Sequence, residues 1–185
     1  VFIGDITDQH ALSFHEHDPD GMSAGNEITA AQEHVAKWHK AFPKAKVCIG
    51  NHDARTVRIA RKAGLPMEAL KDFATLWKTP GWDWKWDHII DDVLYTHGTG
   101  ASGKDAAYNL AMKRRKSVVI GHTHTNAGVK YHSNVDNVIF GLNVGCGIDC
   151  RAYAFAYAKD FADRPMLGCG VVDDGDGLFI RTRCG

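Results

Sequence analysis

At 185 residues, 44% hydrophobic and 24% charged, the chain has the size and composition of one soluble globular domain spanning 1–185. Twenty-two basic residues balance 22 acidic ones, which excludes a global field drawing it to nucleic acid or anionic lipid. No apolar run approaches the roughly 18 residues of a membrane span, so no membrane association is expected.

The chain opens on the apolar, β-prone run VFIGD with no preceding turn or cap. Ile28, Ala31, Val35, Trp38 and Phe42 then recur at helical spacing and predict a helix over about 24–41, stopped by Pro43. A short strand at 46–49, helical segments at 55–63 and 67–77, and a turn at Thr79-Pro80-Gly81 follow. Trp82, Trp84 and Trp86 alternate with polar residues, so a strand there would put three indoles on one face, as a core cover or as a stacking platform for bases. HII-DD-VLYTH reads as a hairpin turning at Asp91-Asp92, and GTGASG leads into a helix over 104–115. The Lys113-Arg114-Arg115-Lys116 run closes that helix, where the dipole favours positive charge, or else offers an anion patch. Strands are expected at 117–120, 127–132, 138–144, 150–158, 167–173 and 178–183, the later ones separated by NVDN, a DRP turn and DDGDG.

Five cysteines, at 48, 146, 150, 169 and 184, contain no CxxC pair, and no signal-like segment opens the chain. A reducing, cytoplasmic setting is expected, with Cys48 and Cys169 as small core residues.

Four apolar runs end abruptly on side chains that can bind metal: VFI-GD at 1–5, VCI-GNHD at 47–53, VLYT-HG at 93–98 and VVI-GHTH at 118–124. In open α/β sheets the loops past the carboxyl ends of the strands converge, so residues far apart in sequence become neighbours there. Carboxylate, amide and imidazole without paired cysteines suit a borderline-hard divalent ion such as Mn²⁺, Fe²⁺ or Zn²⁺ better than a structural cysteine–zinc site.

The order Gly4-Asp5-Ile6-Thr7-Asp8, Gly50-Asn51-His52-Asp53, His97 and Gly121-His122-Thr123-His124 resembles the signature blocks of the calcineurin-like metallophosphoesterases, in the style of small phage or bacterial members. The family's opening D-x-H block is absent before Asp5; Asp8-Gln9-His10 has the letters but lies inside the second block. The resemblance implies an α/β fold, a β-sandwich of two mixed sheets flanked by helices (α/β/β/α), N-terminally incomplete here by one strand and one helix. It implies two divalent metal ions. Asp5 would bridge them, Asn51, His97 and His122 would complete one, and His124 would belong to the other, whose remaining ligands the absent block would supply. His52 would be the general acid, oriented and charged by Asp8, as a hydroxide shared by the ions attacks a phosphate monoester or diester. His10 would touch the phosphate or else lie free at the surface. Asp53 would cap or bind backbone at its loop, and His15 and His17 read as loop residues or a local metal site.

The expected partner is a phosphoester substrate, whether nucleotide, nucleic acid or small molecule, with no obligate protein partner. Gln9 stands where phosphoprotein phosphatases carry arginine, which weighs against that branch. Two rivals remain. Gly98 to Lys104 nearly spells a nucleotide-triphosphate loop, but Asp105 stands where that motif needs a hydroxyl. A catalytically impaired scaffold, binding metal or a phosphate ligand without turnover, is the non-enzymatic alternative.

Overall fold

The computed structural model describes residues 1–14, 20–149 and 163–183. The protein is mixed α/β and divides into two compact units, Val1–Trp86 and Asp87–Gly185.

In the first unit, helix α1 (Ala24–Ala41) has the bounds its periodicity predicts. The Ser23 hydroxyl accepts the Asn26 N–H at 3.3 Å, Glu27 occupies the first turn, and His39 and Lys40 the last, so both ends suit the helix dipole. Strand β1 (Ala45–Cys48) runs parallel to β2 (Trp82–Lys85), with Val47 opposite Trp84. The opening run is not a full strand: Phe2 alone bridges Val47 in parallel, donating to Lys46 O and accepting from Cys48 N, both at 2.9 Å. Val35, Val47, Trp77 and Trp82 form the core, covered by Phe2, Ile6, Ile28, Phe73 and Trp84.

Two expectations fail here. The helix predicted over 67–77 is broken into a 3₁₀ turn at Met67–Ala69 and a short α3 (Phe73–Leu76). Leu70 turns extended, and Asp72 starts the chain afresh by accepting the Thr75 N–H at 2.9 Å and its hydroxyl at 2.7 Å, the local bonding that makes Asp a cap rather than a helix interior residue. Nor do three indoles share a face. Trp82 is buried and donates to Phe42 O at 2.7 Å, and Trp84 stacks on Phe73 and donates to Thr79 Oγ1 at 3.1 Å. Trp86 lies beyond the strand, half exposed. The tryptophans of β2 are core cover. Helix α2 (Arg55–Lys62) leaves the loop that follows β1.

The second unit is built on a five-stranded mixed sheet in the order β3-β4-β5-β7-β6. Its strands are β3 (Asp87–Ile90), β4 (Val93–Thr96), β5 (Val118–Ile120), β6 (Ala127–Ser133) and β7 (Val138–Val144). The inner strands β4, β5 and β7 are parallel neighbours; the edges β3 and β6 are antiparallel. The predicted hairpin turns at Asp91 and Asp92, both left-handed (φ 48° and 62°), which matches the strand twist and is tolerated by Asp. Strands β8 (Gly168–Asp173) and β9 (Asp176–Arg181) pair separately around Asp174 and Gly175.

Helix α4 (Ala106–Arg114) lays Ala106, Ala107 and Ala111 on Leu94, Val118, Ile120 and Ile139. Its approach is close enough that a Cβ on Gly141 of β7 would lie 2.3 Å from Tyr108 N, so small residues on both sides set the spacing. Two residues of the basic run that ends α4 meet carboxylates: Arg114 lies 3.9 Å from Asp87, and Lys116 pairs with Asp92. Cys48 is buried as expected. Cys169 is exposed, because its strand belongs to a two-stranded ribbon rather than the core sheet. The strand expected at 150–158, His15, His17, Cys150 and Cys184 lie outside the described residues. Among the described residues no helix is long and apolar enough to cross a membrane.

Candidate functional site

In the first unit, the parallel pairing of Phe2 with Val47 sends the loops 3–9 and 49–54 out at the same edge. They are laced together residue by residue. Asp5 is left-handed (φ 51°), and its Oδ1 accepts the His52 N–H at 2.8 Å. Asp53, fully buried, accepts Thr7 N and Thr7 Oγ1 at 3.1 Å and Gly50 N at 3.0 Å. Burial pushes the Asp53 carboxyl above the usual range; the Gly50 N–H opposes this, the Asp5 charge adds to it, and Thr7 opposes it. Asp53 therefore binds backbone at its loop, one of the two roles its sequence position predicts.

Gln9 is 2% exposed and left-handed. Its amide donates to His52 O at 3.0 Å and to Asp53 O at 2.8 Å, while its own oxygen accepts from Thr56 Oγ1 at 2.5 Å. Gln9 is thus a buried strut between the two loops.

His52 and Asp8 are brought together as predicted: Nδ1 lies 2.6 Å from Asp8 Oδ1. A carboxylate only accepts, so Nδ1 carries the proton and Nε2 is left for other work. Nε2 is 3.9 Å from Asp5 Oδ2. The hydrogen bond from His52 is the main cause that holds the Asp8 carboxyl below its ordinary value, against partial burial and with help from the charges of His52, Arg55 and His10. Arg55, which no motif marks, donates from Nη1 to Asp8 O at 2.7 Å and to Oδ1 at 3.0 Å.

His10 opens a 3₁₀ turn whose first N–H groups, of His10 and Ala11, donate to Glu27 Oε1 at 2.5 Å and Oε2 at 2.9 Å. It lines a cavity of about 370 Å³ with Met22, Ser23 and Glu27. Asn51, half-buried, lies between Gly50 and His52 at the head of the second loop.

In the second unit, His97 follows β4 directly and His122 follows β5 by two residues, and these strands are parallel neighbours. The two imidazoles meet edge to face, with His97 Nε2 3.1 Å from His122 Nδ1. His97 is 3% exposed, and His122 is left-handed (φ 64°). Left-handed backbone at a non-glycine residue costs roughly 1–2 kcal/mol, and such positions gather at functional sites. Nitrogens each about 2.1 Å from one shared ion lie about 3–3.5 Å apart, so this pair fits adjacent ligand positions.

His124 is half-buried, and its carbonyl accepts the Met166 N–H at 2.7 Å. Asn143, at the end of β7 opposite Ile120, donates to Thr123 Oγ1 and accepts from Gly145 N, which fixes the loop between the two histidines of GHTH. Its signal was present in the sequence, an amide near another strand exit, but without the Gly-His lettering. Asp105, the departure from the nucleotide-loop motif, accepts from Lys130 Nζ of β6.

Set against protein-family models and against curated proteins, the chain matches none.

Proposed function

We propose that the chain is a metal-dependent phosphoesterase of the calcineurin-like type, a β-sandwich hydrolase that cleaves a phosphate monoester or diester. Asp5, Asn51, His97 and His122 would hold one divalent ion, and Asp5 and His124 would contribute to a second. Mn²⁺, Fe²⁺ and Zn²⁺ all suit this mixture of carboxylate, amide and imidazole. Bound there, the ions would supply Lewis-acid polarisation of the phosphoryl oxygens.

The observation that carries this reading is the His52–Asp8 pair at 2.6 Å, which joins the two loops, is fixed by Arg55 and is tied to Asp5 through the His52 N–H. His52 would deliver a proton from Nε2, and Asp8, bound at Nδ1, fixes the direction of the ring. As a water-derived oxygen bonds to phosphorus and the bond to the leaving oxygen breaks, the leaving oxygen would take the electron pair and the Nε2 proton, so no free alkoxide has to depart. Asp53 and Gln9 keep the loop rigid, which keeps the acid aimed.

The test is hydrolysis of p-nitrophenyl phosphate and of bis-p-nitrophenyl phosphate by the Mn²⁺-loaded chain, beside His52→Ala and a count of ions bound per chain. The expected result is cleavage of one ester and a kcat loss of about 10²–10⁴-fold in His52→Ala on a poor leaving group. Two ions bound with neither ester cleaved would favour a binding module instead. Turnover of unsubstituted phenyl phosphate untouched by His52→Ala would remove that residue from its role.

A further inference from the structure

The geometry points to Arg55 as a positioning residue that sets the aim of His52 through Asp8. Its effect on turnover rests on the phosphoesterase reading; its effect on the imidazole does not.

Arg55 is the first residue of α2, where a cation faces the positive end of the helix dipole, and Ala54 before it offers no side-chain cap. A positive charge there is unfavourable unless it is engaged elsewhere. The side chain is only 9% exposed, and a buried guanidinium must be matched by acceptors. Among the described residues its acceptors both belong to Asp8: the backbone oxygen at 2.7 Å and carboxylate Oδ1 at 3.0 Å. Asp8 itself is 51% exposed, so alone its carboxylate could rotate into water. Clamped by its main chain and its side chain together, it cannot.

The oxygen that Arg55 binds is the same Oδ1 that His52 Nδ1 meets at 2.6 Å. His52 has its carbonyl tied to Gln9 Nε2 and its N–H tied to Asp5, so its main chain is already fixed. What remains free is the direction of the ring, and Asp8 Oδ1 sets that direction. Arg55 is too enclosed to serve as a phosphate-binding arginine; it acts through the carboxylate.

The experiment compares wild type, Arg55→Gln, Arg55→Lys and His52→Ala, all loaded with Mn²⁺, on p-nitrophenyl phosphate and on unsubstituted phenyl phosphate. Nitrophenolate leaves without a proton, whereas phenolate needs one. Arg55→Gln should lower kcat on the phenyl ester by about 10-fold or more, a part of what a general acid supplies, with KM unchanged within about 2-fold. The nitrophenyl ester should scarcely respond, and Arg55→Lys should restore part of the loss. Equal losses on both esters would make Arg55 a structural strut and overturn the inference.

A second arm needs no turnover. In ¹⁵N-labelled protein at a pH where the ring is neutral, the two-bond imidazole spectrum of His52 should show the Nδ1-protonated tautomer alone in wild type and a mixture of tautomers in Arg55→Gln. An unchanged His52 spectrum overturns the inference. A chain that cleaves neither these monoesters nor bis-p-nitrophenyl phosphate sinks the phosphoesterase reading instead, and the imidazole spectrum then decides on Arg55 alone. Should Arg55→Gln fail to fold, Arg55→Lys, which keeps the charge but not the planar guanidinium, carries the same comparison.

Discussion

Gly50 and Asp5 occupy space that only glycine can share: a Cβ on Gly50 would lie 2.0 Å from Asp5 Oδ1 and 2.4 Å from Asp5 N. The glycine of the GNHD block is therefore there for the aspartate of the GD block. Gly50→Ala should push Asp5 aside, cost about 3 kcal/mol as overpacking does, and weaken Mn²⁺ binding with it. Gly100→Ala is the control, since a Cβ there meets nothing within 4 Å and only the left-handed φ of 85° is strained. Urea midpoints and calorimetric Mn²⁺ titration compare the two. Similar metal affinity in both variants would dissociate Gly50 from Asp5.

Asp53 is buried with donors on both carboxylate oxygens, Thr7 on one and Gly50 on the other. Asp53→Asn must turn an NH₂ group toward one of those donors, so that two donors face each other and one is left unsatisfied. The expected loss is about 1–3 kcal/mol, and it should reach the His52 loop, because Gln9 binds the carbonyls of His52 and Asp53 together. Denaturant midpoints measure the loss, and backbone amide exchange at residues 50–53 shows whether the loop has loosened. A variant as stable as wild type would mean that the carboxylate's three hydrogen bonds contribute little.

Local pattern made much of this legible. The 3.6-residue spacing of Ile28, Ala31 and Val35 gave α1 its bounds, and the Asp91-Asp92 pair gave a hairpin with both residues left-handed. The His52–Asp8 pairing could be read because both residues sit in lettered blocks at strand exits. Arg55, Gln9 and Asn143 could not, since each acts by binding an element distant in sequence and no local periodicity records it. The same holds for Asp72, whose capping bonds override a helical run that composition alone favours, and for Cys169, whose exposure depends on which strands its ribbon lacks as neighbours.

The 3.1 Å approach of His97 Nε2 to His122 Nδ1 leads to a prediction about metal and stability together. An ion that binds the folded chain alone should stabilise it by about 2.7 kcal/mol at a hundredfold excess over its dissociation constant. Mn²⁺ or Zn²⁺ should therefore raise the thermal midpoint, and a chelator should reverse the shift. His97→Ala and His122→Ala should each remove most of it. A midpoint that ignores both metals in wild type would exclude the pair as ligands.

The Asp105–Lys130 ion pair offers a pH test of the α4 contact with β6. The hydrogen bond from Lys130, with the Lys130 and Lys104 charges, holds the Asp105 carboxyl below its ordinary 3.8. A carboxylate depressed in the folded state contributes stability that is fully present above the unfolded value and is lost as pH falls through the folded one. The window is therefore acidic, below about 3.8. In Lys130→Met the Asp105 carboxyl, followed by ¹³C chemical shift, should titrate closer to 3.8. The denaturation midpoint at pH 7 should hardly change, because solvent screens an exposed pair. A titration midpoint identical in the two proteins would show that the pair is not formed in solution.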